Sequence, residues 1–402
     1  MQTTMKSGGS SVIRLHRAFQ KAGMDSGILT CMMDKLVEPE IAYMPKKSRI
    51  IAWFDGKLRG FINRNNRREF GPFSYPVLGS DVSRIKEIKN ADIIYLHWVL
   101  GGFLNLSSME KLMQLNKPVV IVMHDMWAIT GGCHHSFTCA KYISGCGNCP
   151  ILPGQKEKDL SFREFNKKLK LYSKYENLFF VSPSRWLFDC AKKSMLTRDK
   201  PVFCIPNALD GTTYKPFEKS VAKRILNIDP EETIIAFGAV AIDSPYKGLS
   251  FLLEALQLLH KQDLKKTSVL IFGSNYNKKI ADAIPFKTRF MGHLTDDYAM
   301  VLMYNSADVL VVPSLADNLP TVVMEALSCG TPVVGFHVGG IPDLIDHLKN
   351  GYLARYKDAG DIAQGILYCI ENKIMGKRLP EFEEDQVVRK HVELMNFVKN
   401  KI

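Results

Sequence analysis

With 402 residues, 46 % of them hydrophobic and 23 % charged, the chain is long enough for two or three domains and has the balance of an ordinary soluble globular protein. Its net charge of +12 favours anionic partners such as nucleotides, nucleic acid or acidic lipid headgroups, while its longest apolar runs, PVVIVM and DVLVVPSL, are far too short to span a bilayer. Nine cysteines are too few for a disulfide scaffold of this size, and no basic start followed by an apolar stretch marks a secretory signal, so a reducing cytoplasm is the expected compartment.

Short β-rich runs alternate with longer amphipathic ones along the whole chain. The stretch SGGSSVIRLHRAF begins at Ser7 and places Gly8 and Gly9 ahead of a helix predicted over 9–22. Such a start lets the backbone approach a pyrophosphate, and it equally suits a flexible helix cap. Strands are predicted over 26–30, 49–54, 92–98, 118–125, 178–184 and 202–207, with helices over 160–173 and 185–194. Their near-continuous apolar character implies burial on both faces and hence parallel sheets. The segment 45–73 mixes eight basic residues with Trp53, Phe54, Phe61, Phe70 and Phe73. Two readings fit it: a strand or hairpin with a basic solvent face, or a dock for an anionic membrane.

His97 and His124 fall at the C-terminal ends of two predicted strands, where each serves either a structural role or contact with a sugar hydroxyl. Directly after comes CHHSFTCAKYISGCGNCP, with Cys133, Cys139, Cys146 and Cys149. The closing C-x2-C pair is a common zinc half-site, and four thiolates complete a structural shell, with His134 or His135 as substitutes. Two disulfides and four free thiols fit the same spacing.

The polar stretch 208–230 is expected to be a linker, and a second α/β series begins near 233. Its strands are predicted over 233–240, 268–274, 289–294, 308–314 and 332–336, and its helices over 248–261, 296–306 and 320–328. The organisation expected is an N-terminal Rossmann-like domain over 1–207, a second over 231–384, and a final helix near 385–402 that packs back on the first. Ligand loops then follow the strands' C-terminal ends. Lys247 sits at one such loop, as a diphosphate counter-charge or a solvated lysine beside a turn. DNLPTVVMEALSCG, residues 317–330, sits at another. There Asp317 and Glu325 are either a helix cap and a salt-bridged structural acid, or two acids aimed at a nucleotide sugar, with Pro320 at the first helical position. Asp296 and Asp297 suit a helix start better than a metal-binding pair.

Together these motifs resemble the retaining glycosyltransferases of the GT-B type, the family that includes glycogen and sucrose synthases. The resemblance rests on Asp317 and Glu325 followed by EALSCGTPVVGFHVGGIPD, on Gly8-Gly9, His124-Asp125, VSPS at 181–184, IPNALD at 205–210 and YKG at 246–248. HDMWAITGGC and CGNCP are similar to a bacterial subgroup of the colanic-acid type that builds capsular or exopolysaccharide. The resemblance implies two doubly wound domains facing each other across a cleft, and retaining transfer from a nucleoside diphosphate sugar to a growing glycan or lipid-linked glycan, without a metal for the chemistry. It implies that Glu325 binds the ribose, that Asp317 with the Asn318 and Leu319 backbone binds the sugar, that Lys247 and Gly9 hold the diphosphate, and that His124 meets the sugar near the reacting carbon. UDP is the default nucleotide and GDP the next. The chain departs from the family in carrying aspartate at 317 and alanine at 239, where many relatives have glutamate and arginine. A nucleotide-sugar epimerase of the same fold and a two-lobed, non-enzymatic binding protein are the competing readings, and no nucleic-acid recognition motif is present.

Overall fold

The computed structural model describes residues 9–31, 41–44, 46–154, 156–238, 244–262, 264, 266–273, 276–294 and 296–401. Gly8, Ala239 and Thr295 lie outside this set. The chain divides into two compact units, one formed by residues up to 208 together with 385–402, the other by 209–384.

The first unit contains, in chain order, α1 (Gly9–Lys21), β1 (Ile28–Thr30), β2 (Ile41–Tyr43), α2 (Lys46–Ile62), α3 (Lys86–Asn90), β3 (Ile94–Leu96), α4 (Leu106–Met113), β4 (Val119–Val122), α5 (Leu160–Lys174), β5 (Leu178–Ser182), α6 (Arg185–Lys193) and β6 (Val202–Cys204). β3, β4, β5 and β6 form a parallel four-stranded sheet in that order, and β1 and β2 form a separate two-stranded parallel sheet. Alternation along β4 explains why VVIV must be covered on both sides. Val119 and Ile121 enter a core with Met109, Leu112 and Phe165. Val120 and Val122 enter another with Leu15, Phe19, Leu394 and Val398.

The second unit contains α7 (Lys219–Ile225), β7 (Thr233–Gly238), α8 (Leu249–His260), β8 (Thr267–Phe272), α9 (Lys278–Ala283), β9 (Lys287–Phe290), α10 (Asp297–Ser306), β10 (Val309–Val312), α11 (Thr321–Ser328), β11 (Val333–Phe336), β12 (Gly351–Ala354) and α12 (Ala359–Glu371). The last helix, α13 (Glu384–Lys401), then contributes Val387, Leu394 and Val398 to the first unit's core. The sheet is wholly parallel, in the order β12-β11-β10-β7-β8-β9. This is the doubly wound arrangement, with its switch point between β7 and β10. Ile235 and Val311 face α8 and α12, whereas Ala236 and Leu310 face α10 and α11.

Two expectations need correction. The stretch 208–230 is no bare linker: it carries α7, and its Tyr214 and Ile228 are buried in the second unit's core. The strand expected over 49–54 is part of helix α2. Its β-branched and aromatic residues lie at helical spacing on an exposed face, so composition misled where burial decides. Asp296 does start a helix, accepting the Ala299 N–H at 2.9 Å.

The α13 contact sets a pH dependence. His391 is buried, lies edge-on to Phe19, and meets the Tyr95 hydroxyl at 3.2 Å through Nδ1. Burial lowers its pKa from 6.5 to about 3. The unfolded chain therefore binds the extra proton first, so His391's contribution is complete above pH 6.5 and is lost as pH falls toward 3. Denaturant midpoints measured from neutral to mildly acidic pH should decline, and His391→Leu should flatten that decline.

Candidate functional site

In the second unit the loops after β7 and β10 leave the sheet on either side of the switch point, the place where ligands lodge in open α/β sheets. Lys247 ends a short turn after β7, and Asp317 lies in the loop after β10. Their side chains pair, Nζ to Oδ2 at 2.8 Å. Burial alone would lower the lysine's pKa, but the Asp317 carboxylate more than offsets it and the net shift is upward, so the group is cationic. Leu315 donates its N–H to the Tyr246 carbonyl at 2.8 Å, tying the two loops together.

Two glycines permit this closeness. Gly248 has φ +73°, and a Cβ there would stand 1.8 Å from the Pro313 carbonyl oxygen. Gly339 has φ +58°, and its Cβ would stand 1.9 Å from the Asp317 carbonyl oxygen.

Asp317 is not the cap of α11. The cap position belongs to Pro320, one residue before the first helical position, with no side-chain capping bond. The Asp317 carboxylate is instead held by Lys247 and by the Asn318 N–H at 3.1 Å. The first turn of α11 thus sets its positive dipole end beside an anchored acid. Asn318 and Leu319 are both buried there. Within the helix, Glu325 is 5 % exposed and accepts the Tyr304 phenol at 2.7 Å. Burial, reinforced by this carboxylate, raises the Tyr304 pKa well above the ordinary value and keeps the phenol protonated. Thr331 Oγ1 in turn donates to the Tyr304 carbonyl at 2.6 Å. Tyr304 was not legible as a site residue, because its partner lies on a different helix.

The first unit carries a second cluster. His97 Nδ1 and His124 Nε2 are 3.0 Å apart, so one ring donates to the other. Burial holds both down, His124 to about 4 against a weaker upward pull from Asp125 and His97 well below the usual range, and both rings are neutral near pH 7. Trp98 stacks at 6.0 Å from His124 and 5.5 Å from His134. His134 Nδ1 meets Asp125 Oδ2 at 2.6 Å and its Nε2 meets Ser74 Oγ at 2.9 Å. Trp98, His124, Asp125, Trp127 and His134 line one cavity. Sequence reasoning found His97 and His124 from their strand ends but not Trp98, and it offered His134 as a substitute for one of the cysteine thiolates, whereas both of its ring nitrogens are engaged elsewhere.

Gly9 begins α1. The four loop cysteines line one cavity together with Phe70, Phe73 and His135. All four are free thiols. Burial raises Cys133, Cys146 and Cys149, Cys146 to about 12. Among the described residues no group of three or more His, Cys, Asp or Glu side chains is gathered closely enough to hold a metal ion.

Residues 231–372 match the family of glycosyl transferases group 1. An uncharacterized glycosyltransferase of Methanocaldococcus jannaschii is 25 % identical over 308 residues, covering 72 % of this chain and 75 % of that one. D-inositol 3-phosphate glycosyltransferase of a Mycobacterium species is 31 % identical over 169 residues, 39 % of this chain and only 37 % of its own length. In structure, Anabaena HepE in complex with UDP and glucose aligns with a TM-score of 0.60 at 14 % identity, covering 99 % of this chain and 98 % of that one. The fold is GT-B. The protein is a glycosyltransferase, and residues 231–372 of its second unit are similar to the group 1 family.

Tyr304→Phe removes one donor from buried Glu325 without opening a large cavity. It should destabilise the protein by about 1–3 kcal/mol. Chemical denaturation against wild type measures this, and an unchanged midpoint would mean that Glu325 does not depend on the phenol.

Proposed function

We propose that the protein transfers a sugar, with retention of configuration, from a nucleoside diphosphate sugar to a growing glycan in cell-surface polysaccharide synthesis. The observation that carries this reading is the Lys247–Asp317 pair at the switch point, beside the start of α11. Cation, carboxylate and the positive end of a helix form the set that a diphosphate-linked sugar needs. Anabaena HepE, which has been solved with UDP and glucose, supports a UDP-sugar as the default donor, with a GDP-sugar next.

In this reading Lys247 and the Gly9 backbone meet the diphosphate, and Glu325 accepts from the ribose hydroxyls. Asp317 exchanges part of its hold on Lys247 for sugar hydroxyls, with the Asn318 and Leu319 N–H groups alongside. His124, neutral and already oriented by His97, contacts the transferred sugar as a hydrogen-bonding group and not as an acid. Bond breaking leaves negative charge on the diphosphate and positive charge on the anomeric carbon. The catalytic task is to stabilise the first with fixed cations and dipoles while the departing phosphate takes the acceptor's proton on the same face. The acceptor is expected to be a glycan or lipid-linked glycan. An epimerase of the same fold would turn over the donor with no acceptor present, which a product assay separates. Among the described residues, no helix is long and apolar enough to cross a membrane.

Glu325→Ala should weaken nucleotide binding by about 1.5–3 kcal/mol, since a charged acceptor is lost. Lys247→Ala should cost affinity for UDP more than for uridine. Calorimetric titration of both ligands checks the pair, and wild-type UDP affinity in Glu325→Ala would remove the ribose assignment. A folded His124→Ala protein should bind UDP but lose transfer.

We also propose that the cysteine loop is stabilised by zinc, a structural role with no part in the reaction. Support comes from a backbone N–H aimed at sulfur: Gly131 N–H lies 3.2 Å from Cys146 Sγ. Such a donor favours a thiolate against the burial that raises these thiols, and the four sulfurs must draw closer to share one ion. Elemental analysis of protein purified without chelator should find one zinc per chain. Absence of zinc, with four freely reacting thiols, would overturn this.

A further inference from the structure

Helix α2 is built inside out. Its protein-facing side carries Ser48, Ala52, Asp55 and Arg59, spaced i, i+4, i+7 and i+11. Asp55 is fully buried; it accepts Arg59 Nε at 2.5 Å and the Leu78 N–H at 3.1 Å. Ala52 meets the backbone of another segment so closely that a Cβ on Gly102 would stand 2.4 Å from its Cα. The opposite side carries Ile50, Trp53, Phe54, Leu58 and Phe61. Their exposures are 56, 59, 55, 38 and 63 %. Their spacing of i, i+3, i+4, i+8 and i+11 makes one broad stripe.

The charges set against that stripe are positive. Lys57 and Arg64 are exposed, and the only acid of the helix is the buried Asp55. Two cations lie over the stripe's own rings, Lys57 Nζ at 5.6 Å from Trp53 and Arg64 at 4.5 Å from Phe61. Aromatic rings with long basic side chains folded along them are the pattern of a helix lying at a membrane–water boundary. At 17 residues the helix is too short to cross a bilayer.

We propose that α2 is an interfacial helix that seats the first unit on an anionic phospholipid surface, its aromatic stripe among the headgroups and acyl ends and its cations against lipid phosphates. Charge selects this occupant. A second copy would set one cationic rim against another, whereas anionic lipid answers both the apolar stripe and its rim. The proposal goes beyond the donor chemistry and does not depend on it.

The full chain should sediment with vesicles of phosphatidylcholine and phosphatidylglycerol, and much less with phosphatidylcholine alone. Raising the salt should weaken the binding, because the charge contribution is screened. Trp53→Ser/Phe54→Ser/Phe61→Ser should reduce the bound fraction at least tenfold, as should Lys57→Glu/Arg64→Glu. These side chains are exposed, so circular dichroism and UDP affinity should match wild type, and UDP titration separates failure here from failure of the donor reading. Three results would overturn the proposal. One is absence of anionic-vesicle binding. Another is equal binding to both vesicle types or by the triple variant. The third is a concentration-dependent dimer, seen by sedimentation, that the triple variant abolishes while lipid binding stays absent.

Discussion

At one point of the second unit's sheet the winding reverses, and β7 and β10 lie side by side while their helices depart to opposite faces. No crossover loop can bridge that gap, so the backbone there is open at the strands' C-terminal edge. The gap is filled by a lysine and an aspartate instead of by apolar side chains. Leaving either one alone in such a half-buried place would be costly, so each fixes the other, and the loops that bear them are held by Gly248, Gly339 and the Leu315–Tyr246 bond. The sheet order dictates where the site can be, and the ion pair dictates how the loops are set.

The first unit solves a different problem. Two neutral histidines from neighbouring strand ends share a proton, while a third closes on an aspartate. Charging either of the first two would place a cation in a site that burial has already made hostile to one. The arrangement therefore orients hydrogen-bonding groups at fixed angles and disfavours titration. This suits contact with neutral hydroxyls, and it makes the unit sensitive to acid.

What could be read in the sequence follows from periodicity. Strands such as VVIV and VLVV are buried on both faces, so they stand out as unbroken apolar runs, and the helices between them keep a regular apolar stripe. β12, only GYLA, has no such run and was missed. Asp317, Glu325 and Lys247 were legible because strand ends mark where ligand loops fall. Their partners were not. Tyr304 reaches Glu325 from another helix, and His134 turns away from the cysteines beside it to Asp125, nine positions earlier. Local spacing says which residues share a face, and only the fold says which faces meet.

α2 shows the same limit in its sharpest form. RIIAWF has the composition of a strand, and its helical period appears only when the window extends to Leu58 and Phe61. Even then the apolar face would ordinarily be assigned to the core. Turning it inward would put Trp53 or Phe54 against Gly102, where the backbone now approaches so closely that a single Cβ would collide with Ala52. It would also pull Asp55 from the Leu78 N–H that it accepts. The small and polar side is the one that fits the protein, so the aromatic side faces outward as a consequence of packing.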